Sequence, residues 1–564
     1  MKLRISSCKT VLAKDLTRFA PAWGLYLVGL LMLMLPNFVY DDPHIVARTL
    51  GETLGILGIL NFAYAALCAQ LLFGDLFQSR PCNALHAMPL KRGDWFFSHI
   101  AAGLSFSLVP NTVCALVIMQ FLGGFWFVSL LWLAAMTLEF LFFFGLAVLS
   151  VFCVGSRFAM VAVYGILNFL SLLVLWFAKT VFEPLLFGLY VSAEPFYVLS
   201  PVVQLAMGQE YICVERLSGT WVFTGLGAGW GYLLILAGIG LGLGALALLL
   251  YRRRALESAG NFIAVRSLSP VFCVVYTLTV AAVFAAMGEL FMEEIIYFFP
   301  IGFLVGYFTS QMLLHRTVKV FTRKVFLGLG IFATVMAVCV GLLTLDPLGY
   351  SSWTPEPSQV VKVEITDNLP NEWLYNGLYR DVESLELDDP ADIAAIVDVH
   401  REVTEKRGNY SNSGQRMVSL RICYTLQNGR QVTRVYENCV PADPLAQFFS
   451  RPECVLGITG DAEVFLAQIT YVNVEGNPIA GETARELLQA ILADCEAGTM
   501  AQNTRYHNFN KELLVVWIDF RLPDGTYREV RIYSGAENTV AWLKANFDRW
   551  GDENTKMEDY FTWK

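Results

Sequence analysis

Residues 127–152 read FVSLLWLAAMTLEFLFFFGLAVLSVF, an apolar run with one charged side chain, Glu139, near its middle and Arg157 just past its end. A bilayer core takes about 20 apolar residues in a helix, so this run is expected to cross a membrane. Working outward, eight further runs of similar character occur at 19–38, 53–74, 100–122, 158–180, 228–250, 270–289, 295–314 and 325–345. The run at 19–38 lacks a small-residue cleavage site and is soon followed by another, so it reads as a retained helix rather than a signal peptide. Pro300 interrupts the eighth run, and the basic cluster from Arg316 to Lys324 behind it supports keeping it as a span.

The basic residues fall in alternate connections. The N-terminal arm holds Lys2, Arg4, Lys9, Lys14 and Arg18. The second, fourth, sixth and eighth runs exit towards Arg80, Lys91 and Arg92, then Arg157, then Arg252, Arg253, Arg254 and Arg266, then Arg316, Lys319, Arg323 and Lys324. Cytoplasmic loops keep an excess of Lys and Arg, so these are read as cytoplasmic. The other connections contain Asp41, Asp42, Glu183, Glu194, Glu210, Glu215, Glu293 and Glu294 with few basic residues. The expected fold class is an α-helical polytopic membrane protein of about nine spans, N-terminus inside and C-terminus outside.

Composition changes after Pro347. The net charge is +4 up to residue 346 and −13 beyond it, together the −9 of the whole chain. An acidic surface argues against nucleic acid or an anionic membrane face as the main partner of residues 347–564. That segment is read as a C-terminal extracytoplasmic α+β domain of two repeated helix-plus-hairpin modules, about 358–445 and 460–548. In each copy a helical stretch, 389–403 or 483–495, precedes two alternating apolar runs joined at Asn428-Gly429 or Asp524-Gly525. Such dipeptides accept the positive φ angles of a two-residue hairpin turn. Strands at 360–365 and 463–474 are expected to begin the copies.

Eight of the twelve cysteines lie before residue 347, where thiols usually pack as small apolar groups. The others are Cys423, Cys439, Cys454 and Cys495; a Cys423–Cys439 bridge or a Cys439–Cys454 bridge is geometrically allowed. None has the paired short spacing of a structural zinc site. The chain has no Gly-x-x-x-x-Gly-Lys-Ser/Thr loop, no His-Glu-x-x-His and no Gly-x-Ser-x-Gly. Ser6 and Lys9 satisfy a Ser-x-x-Lys spacing that is short enough to arise by chance in a basic arm. The chain is therefore not expected to be an enzyme, nor to carry a metal or cofactor, and any ATP-driven work needs a partner subunit.

Polar residues inside spans are costly in lipid and often functional. Glu139, with Asn61 and Gln70 in the second run and Asn168 in the fifth, forms the candidate translocation path. Glu139 could line a path or bind a cation; equally it could hydrogen-bond a neighbouring helix. The first cytoplasmic connection, 77–98, mixes Arg80, Pro81, Leu85, Met88, Pro89, Lys91, Arg92, Trp95 and Phe96. It suits an amphipathic segment on the membrane surface or one that docks into a groove on a soluble partner.

Here the chain resembles the permease subunits of type-2 ATP-binding-cassette (ABC) exporters, particularly the Firmicutes branch with a large extracytoplasmic C-terminal domain. Arg80-Pro81-Cys82 and Met88-Pro89-Leu90-Lys91-Arg92 match that family's segment between spans two and three, with Met88 in place of the usual Leu. Residues 251–260 resemble the stretch that closes its six-span core, so residues 1–265 correspond to the core and 266–346 to three further spans. The resemblance implies dimers of permeases, identical or paired with a sister chain, bearing two cytoplasmic ATPase subunits. These would push on a coupling helix at 85–97 to move a substrate, such as an antimicrobial peptide or drug, across a Gram-positive plasma membrane. The rival expectation is a non-transporting receptor or scaffold that senses extracellular ligand through residues 347–564.

Overall fold

In a computed structural model, the structure describes residues 2–39, 43–87, 91–208, 211–217, 220–253, 262–263, 268–292, 295–367, 384–407, 417–441, 444–445, 448, 451–456, 462–469, 471–502, 514–521, 527–533 and 535–550. The chain divides into two compact units, Met1–Ala178 with Val191–Ala337, and Lys179–Tyr190 with Val338–Lys564.

The first unit is helical. Its elements are α1 (Lys2–Arg18), α2 (Ala20–Met34), α3 (Pro43–Leu72), α4 (Ser79–Ala87), α5 (Arg92–Phe121), α6 (Phe127–Cys153) and α7 (Arg157–Phe177). After the short α8 (Glu183–Leu185), which belongs to the second unit, come α9 (Glu194–Val198), α10 (Pro201–Ala206) and a hairpin, β1 (Ile212–Leu217) with β2 (Thr220–Leu226). Four long helices follow: α11 (Gly229–Arg253), α12 (Ser269–Met292), α13 (Ile295–His315) and α14 (Arg323–Leu345). Among the described residues nine helices are long and apolar enough to cross a membrane: α2 with its 3₁₀ extension, α3, α5, α6, α7 and α11 to α14. They correspond one for one to the nine apolar runs.

The boundaries differ where polar residues continue a helix beyond its apolar window. α3 starts at Pro43 instead of near 53, because its first turns carry Arg48 and Glu52, paired at 2.9 Å one helical turn apart. α5 starts at Arg92 instead of near 100. The N-terminal arm is itself a helix, α1, packed on α5, and the buried Asp15 carboxylate lies 2.7 Å from His99 Nδ1.

α6 is the central helix, enclosing Trp132, Phe140, Phe143 and Phe144 as it packs against α3, α5, α7 and α11. Its crossing with α11 is set by glycine: a Cβ on Gly145 would lie 2.3 Å from the Gly240 carbonyl oxygen, and one on Gly240 would lie 2.6 Å from Phe142 Cα. Small residues let helix backbones approach closely where lipid supplies no hydrophobic drive. α14, by contrast, has no buried residue.

Alternate connections of this unit gather at common ends. At one end Gly74 lies against Arg157, Arg92 reaches the last carbonyls of α11, and Val154 bridges Ile263. At the other, the His44 and Phe125 rings lie 4.4 Å apart, and a Cβ on Gly55 would meet the Leu205 carbonyl of α10 at 2.7 Å.

In the second unit, β3 (Val360–Asp367), β4 (Ser384–Leu387), α15 (Pro390–Lys406), β5 (Met417–Leu426) and β6 (Gln431–Pro441) form one module. After α16 (Pro452–Val455) and α17 (Ala462–Gln468), β7 (Val472–Val474), β8 (Asn477–Ile479), α18 (Gly481–Glu496), β9 (Leu514–Arg521) and β10 (Tyr527–Tyr533) form the other, followed by α19 (Glu537–Ala545) and α20 (Phe547–Trp550). Both sheets are antiparallel with the same order, β6-β5-β3-β4 and β10-β9-β7-β8. The internal repeat is therefore a strand-strand-helix-strand-strand unit used twice, with a core for each copy.

Two local expectations are corrected. The stretch 463–474 is not one strand: residues 462–468 are helical and only Val472–Val474 pairs. The β5–β6 turn is not a two-residue turn, since Gly429 N donates to Leu426 O and Leu426 N donates to Arg430 O, closing a three-residue loop with Gly429 at φ +78°. The 522–526 turn of the second copy lies outside the described residues. Cys423 and Cys439 are free thiols and Cys423 stands opposite Thr433 in the ladder, so the Cys423–Cys439 bridge that the sequence allows does not form; the Cys454 side chain lies outside the described residues.

Residues 179–190 join this second unit by packing on the first module. Val435 N donates to Gly188 O at 3.4 Å, the Phe187 and Tyr436 rings lie 5.1 Å apart, and the Arg421 guanidinium sits 4.6 Å from the Tyr190 ring centre. Gly188 is required here twice over: its φ is +77°, and a Cβ would fall 2.6 Å from Tyr436 Oη.

Candidate functional site

Four of the long apolar helices bring several of their polar side chains together at one place. Asn61 of α3 donates from Nδ2 to Glu139 Oε2 of α6 at 3.0 Å. Its Oδ1 accepts from Tyr26 Oη of α2 at 2.7 Å, and the same hydroxyl lies 3.2 Å from Asn111 Oδ1 of α5. Asn111 Nδ2 then donates to Ser107 Oγ at 3.0 Å. Tyr26 stacks on Tyr64 with ring centres 3.9 Å apart, and all these side chains are buried. The cluster thus ties α2, α3, α5 and α6, four helices apolar enough to cross a membrane, through side chains that are expensive to bury unless paired.

Pro110 prepares one corner of this cluster. Lacking an N–H, it leaves the Phe106 carbonyl without its helical donor, and Tyr64 Oη donates to that oxygen at 3.0 Å. The opposite corner is incomplete: Glu139 Oε1 is buried with no hydrogen-bond partner.

Of the four residues expected to line a path, the structure brings Asn61 and Glu139 together. Gln70 lies elsewhere, with Nε2 donating to Arg157 O at 3.3 Å. Asn168 turns its Nδ2 back to Tyr164 O within α7 and leaves Oδ1 unpartnered. Tyr26, Ser107 and Asn111 belong to the cluster although hydropathy alone does not single them out. The signal was their polarity inside otherwise apolar runs, with Pro110 beside Asn111.

The connection between α3 and α5 is the second candidate. After a buried 3₁₀ turn at Gly74–Phe77, α4 carries Arg80, Pro81 and Leu85, with Arg80 and Asn83 exposed and Cys82 buried. Met88, Pro89 and Leu90 lie outside the described residues. Lys91 is exposed with extended backbone before α5 begins, so residues 92–97 are the first turns of the long helix α5 and not part of a separate coupling helix. Arg92 Nη1 donates to Tyr251 O at 3.0 Å and to Arg252 O at 3.2 Å, capping α11 with a cation where the helix dipole favours one. Trp95 and Phe96 point inward, lining a small cavity with Phe73, Asp75, His99 and Tyr251, whereas Phe97 is exposed. Among the described residues no group of three metal-ligating side chains occurs.

No family model, no curated protein and no solved structure matches this chain.

Proposed function

We propose that this polytopic membrane protein is the membrane-spanning permease subunit of an ABC exporter, coupled to a separate cytoplasmic ATPase and paired with itself or a sister permease in a plasma membrane. The observation that carries the reading is the braced connection between α3 and α5. α4 is a short surface helix, and the residues behind it are bolted to the membrane unit through Trp95, Phe96 and the Arg92 contact with α11. A partner that tilts α4 would bias α5 and α11 together, and coupling requires the docking segment to interact differently in the two states of the cycle. On this reading Arg80 and Lys91 face the ATPase, while Trp95 and Phe96 transmit.

The alternation of basic loops supports an N-terminus inside and residues 347–564 outside. Parity supports the span count as well. Residues 187–190 pack on β6 within one unit, which needs an even number of crossings between Tyr190 and Tyr350, and α11 to α14 supply four. The acidic outer modules suit encounter with a cationic cargo such as an antimicrobial peptide.

The test is a mild-detergent pull-down of the tagged chain, with mass spectrometry of partners and an ATPase assay. A stoichiometric phosphate-loop ATPase that is lost with Arg80→Glu and Lys91→Glu supports the permease. Recovery of the intact chain alone, under conditions that preserve other membrane complexes, would favour a receptor or scaffold that senses ligand through its outer modules.

A further inference from the structure

The Glu139 carboxyl has one oxygen satisfied and one without a partner, in a place where, among the described residues, a bare negative charge has no counter-ion. Asn61 holds Oε2, while Oε1 is buried without a partner. Among the described residues no Lys, Arg or His hydrogen-bonds or ion-pairs with it. The ionisable groups that feel its charge are Tyr26 of α2 and Tyr211, just beyond α10; Cys68 and Cys114 lie by Tyr26, and Tyr232 of α11 lies by Tyr211. Every one of these is neutral at physiological pH, so none offsets an anion. A metal cation is poorly served, because hard cations take six or more oxygens, and the Asn61 amide oxygen already accepts from Tyr26.

The surroundings also define a direction of approach. Gly58 of α3 leaves room for the carboxyl, since a Cβ there would sit 3.7 Å from Oε2 and 3.2 Å from Leu205 Cβ. Leu205 of α10 and Tyr211 cover this side, both fully buried, and the Tyr211 hydroxyl is a second buried polar atom with no hydrogen-bond partner. Trp230 Nε1 donates to Tyr211 O at 3.0 Å and fixes that segment to the start of α11. Two orphaned polar groups thus face one region under a short helix that belongs to the connection between α7 and α11.

We infer that Glu139 is a proton-binding site, carried as the neutral acid and exchanging its proton past α10 and Tyr211 on the side of the membrane that bears residues 191–228. Burying a carboxylate without a partner costs far more than burying the acid, so proton release is tied to movement of α10 or of the α3–α6 contact. The inference deepens the candidate path at Glu139 and rests on the membrane reading, but it needs no ATPase partner.

The experiment uses the full chain alone in lipid nanodiscs and dicyclohexylcarbodiimide, an apolar reagent whose C=N bond takes up the O–H of a protonated carboxyl to give an O-acylisourea, which passes by acyl shift from oxygen to nitrogen into a stable N-acylurea. Peptide mass spectrometry should find the adduct on Glu139 and lose it in Glu139→Gln, which keeps an acceptor for Asn61. Labelling should fall about tenfold per pH unit above the group's midpoint, as the acid fraction does. In parallel, infrared difference spectra should contain a protonated-carboxyl carbonyl band that shifts in heavy water and is missing from Glu139→Gln. Absence of that band at every pH overturns the inference whatever the reagent reaches. Protection of Glu139 from labelling by sodium, potassium or magnesium ions overturns it in favour of a metal cation. Because every readout is made on the isolated chain, failure to find a partner ATPase leaves these results standing.

Discussion

Tyr64 of α3 donates its hydroxyl to the Phe106 carbonyl oxygen of α5 at 3.0 Å, the acceptor that Pro110 leaves open four residues further on. A proline inside a membrane helix is tolerated when a neighbour satisfies the freed carbonyl, and here the neighbour is α3. Tyr64→Phe removes the donor and keeps the ring stacked on Tyr26. The expected loss is about 1–2 kcal/mol, the cost of stranding a buried acceptor. Thermal unfolding of the detergent-solubilised chain reads it; an unchanged midpoint would mean that the carbonyl finds another donor.

The α6–α11 crossing leaves no space for a side chain at Gly145 or Gly240. Gly145→Leu is expected to force the two helices apart and cost at least about 3 kcal/mol, at the severe end of overpacking because the obstacle is backbone. Gly238, with nothing within 4 Å of its Cβ position, serves as the control. Size-exclusion profiles should separate the two variants, with Gly238→Ala eluting as the parent does.

Residues 179–190 depend on Gly188. Gly188→Ala adds a left-handed strain of about 1–2 kcal/mol to a collision with the Tyr436 hydroxyl at 2.6 Å. Hydrogen exchange should rise in this segment and at Val435, whose N–H bonds to Gly188 O, while α18 and β9 of the other module stay protected. Equal exchange in parent and variant would refute the attachment.

His400 is buried between Tyr424 and Tyr436, with Nδ1 3.0 Å from one hydroxyl and Nε2 2.7 Å from the other. Burial, with the Arg434 guanidinium nearby, pushes its pKa down from 6.5 to about 3. The native imidazole stays neutral while the unfolded one binds a proton below about 6.5. Stability of the first module is therefore complete above that pH and falls as pH drops towards 3, by on the order of 4 kcal/mol over the window. Exchange protection of α15 and β5, corrected for intrinsic rates, should decline between pH 6.5 and 4.5; a His400→Gln variant should show a flatter profile.

Membrane sidedness is open to direct labelling. With a membrane-impermeant maleimide on intact cells, Asn428→Cys is expected to react and Lys319→Cys only after permeabilisation, each compared with the parent chain. The reverse pattern would invert the orientation. Reaction of both from one side would break the parity of four crossings.

The nine helices that, among the described residues, are long and apolar enough to cross a membrane were legible in the chain because transfer of about 20 apolar residues into lipid is a local property, decided by composition within one window. The repeat was legible for a related reason, since alternation and turn residues mark strands wherever they occur. Lone polar residues such as Glu139 and Asn61 could be marked as costly from sequence, but their partners could not. Only packing showed that Asn61 reaches Glu139, that Gln70 and Asn168 do not, and that Trp95 and Phe96 face inward from a segment that reads as a surface or docking segment. The choice of partner depends on helix rotation and on glycine contacts such as Gly145 with Gly240, separated by many residues in the chain. Sequence by itself determined which segments are long and apolar enough to cross a membrane and which build the acidic modules. Tertiary structure decided which polar groups meet, because a hydrogen bond depends on distances of tenths of an ångström that no pattern along one chain records.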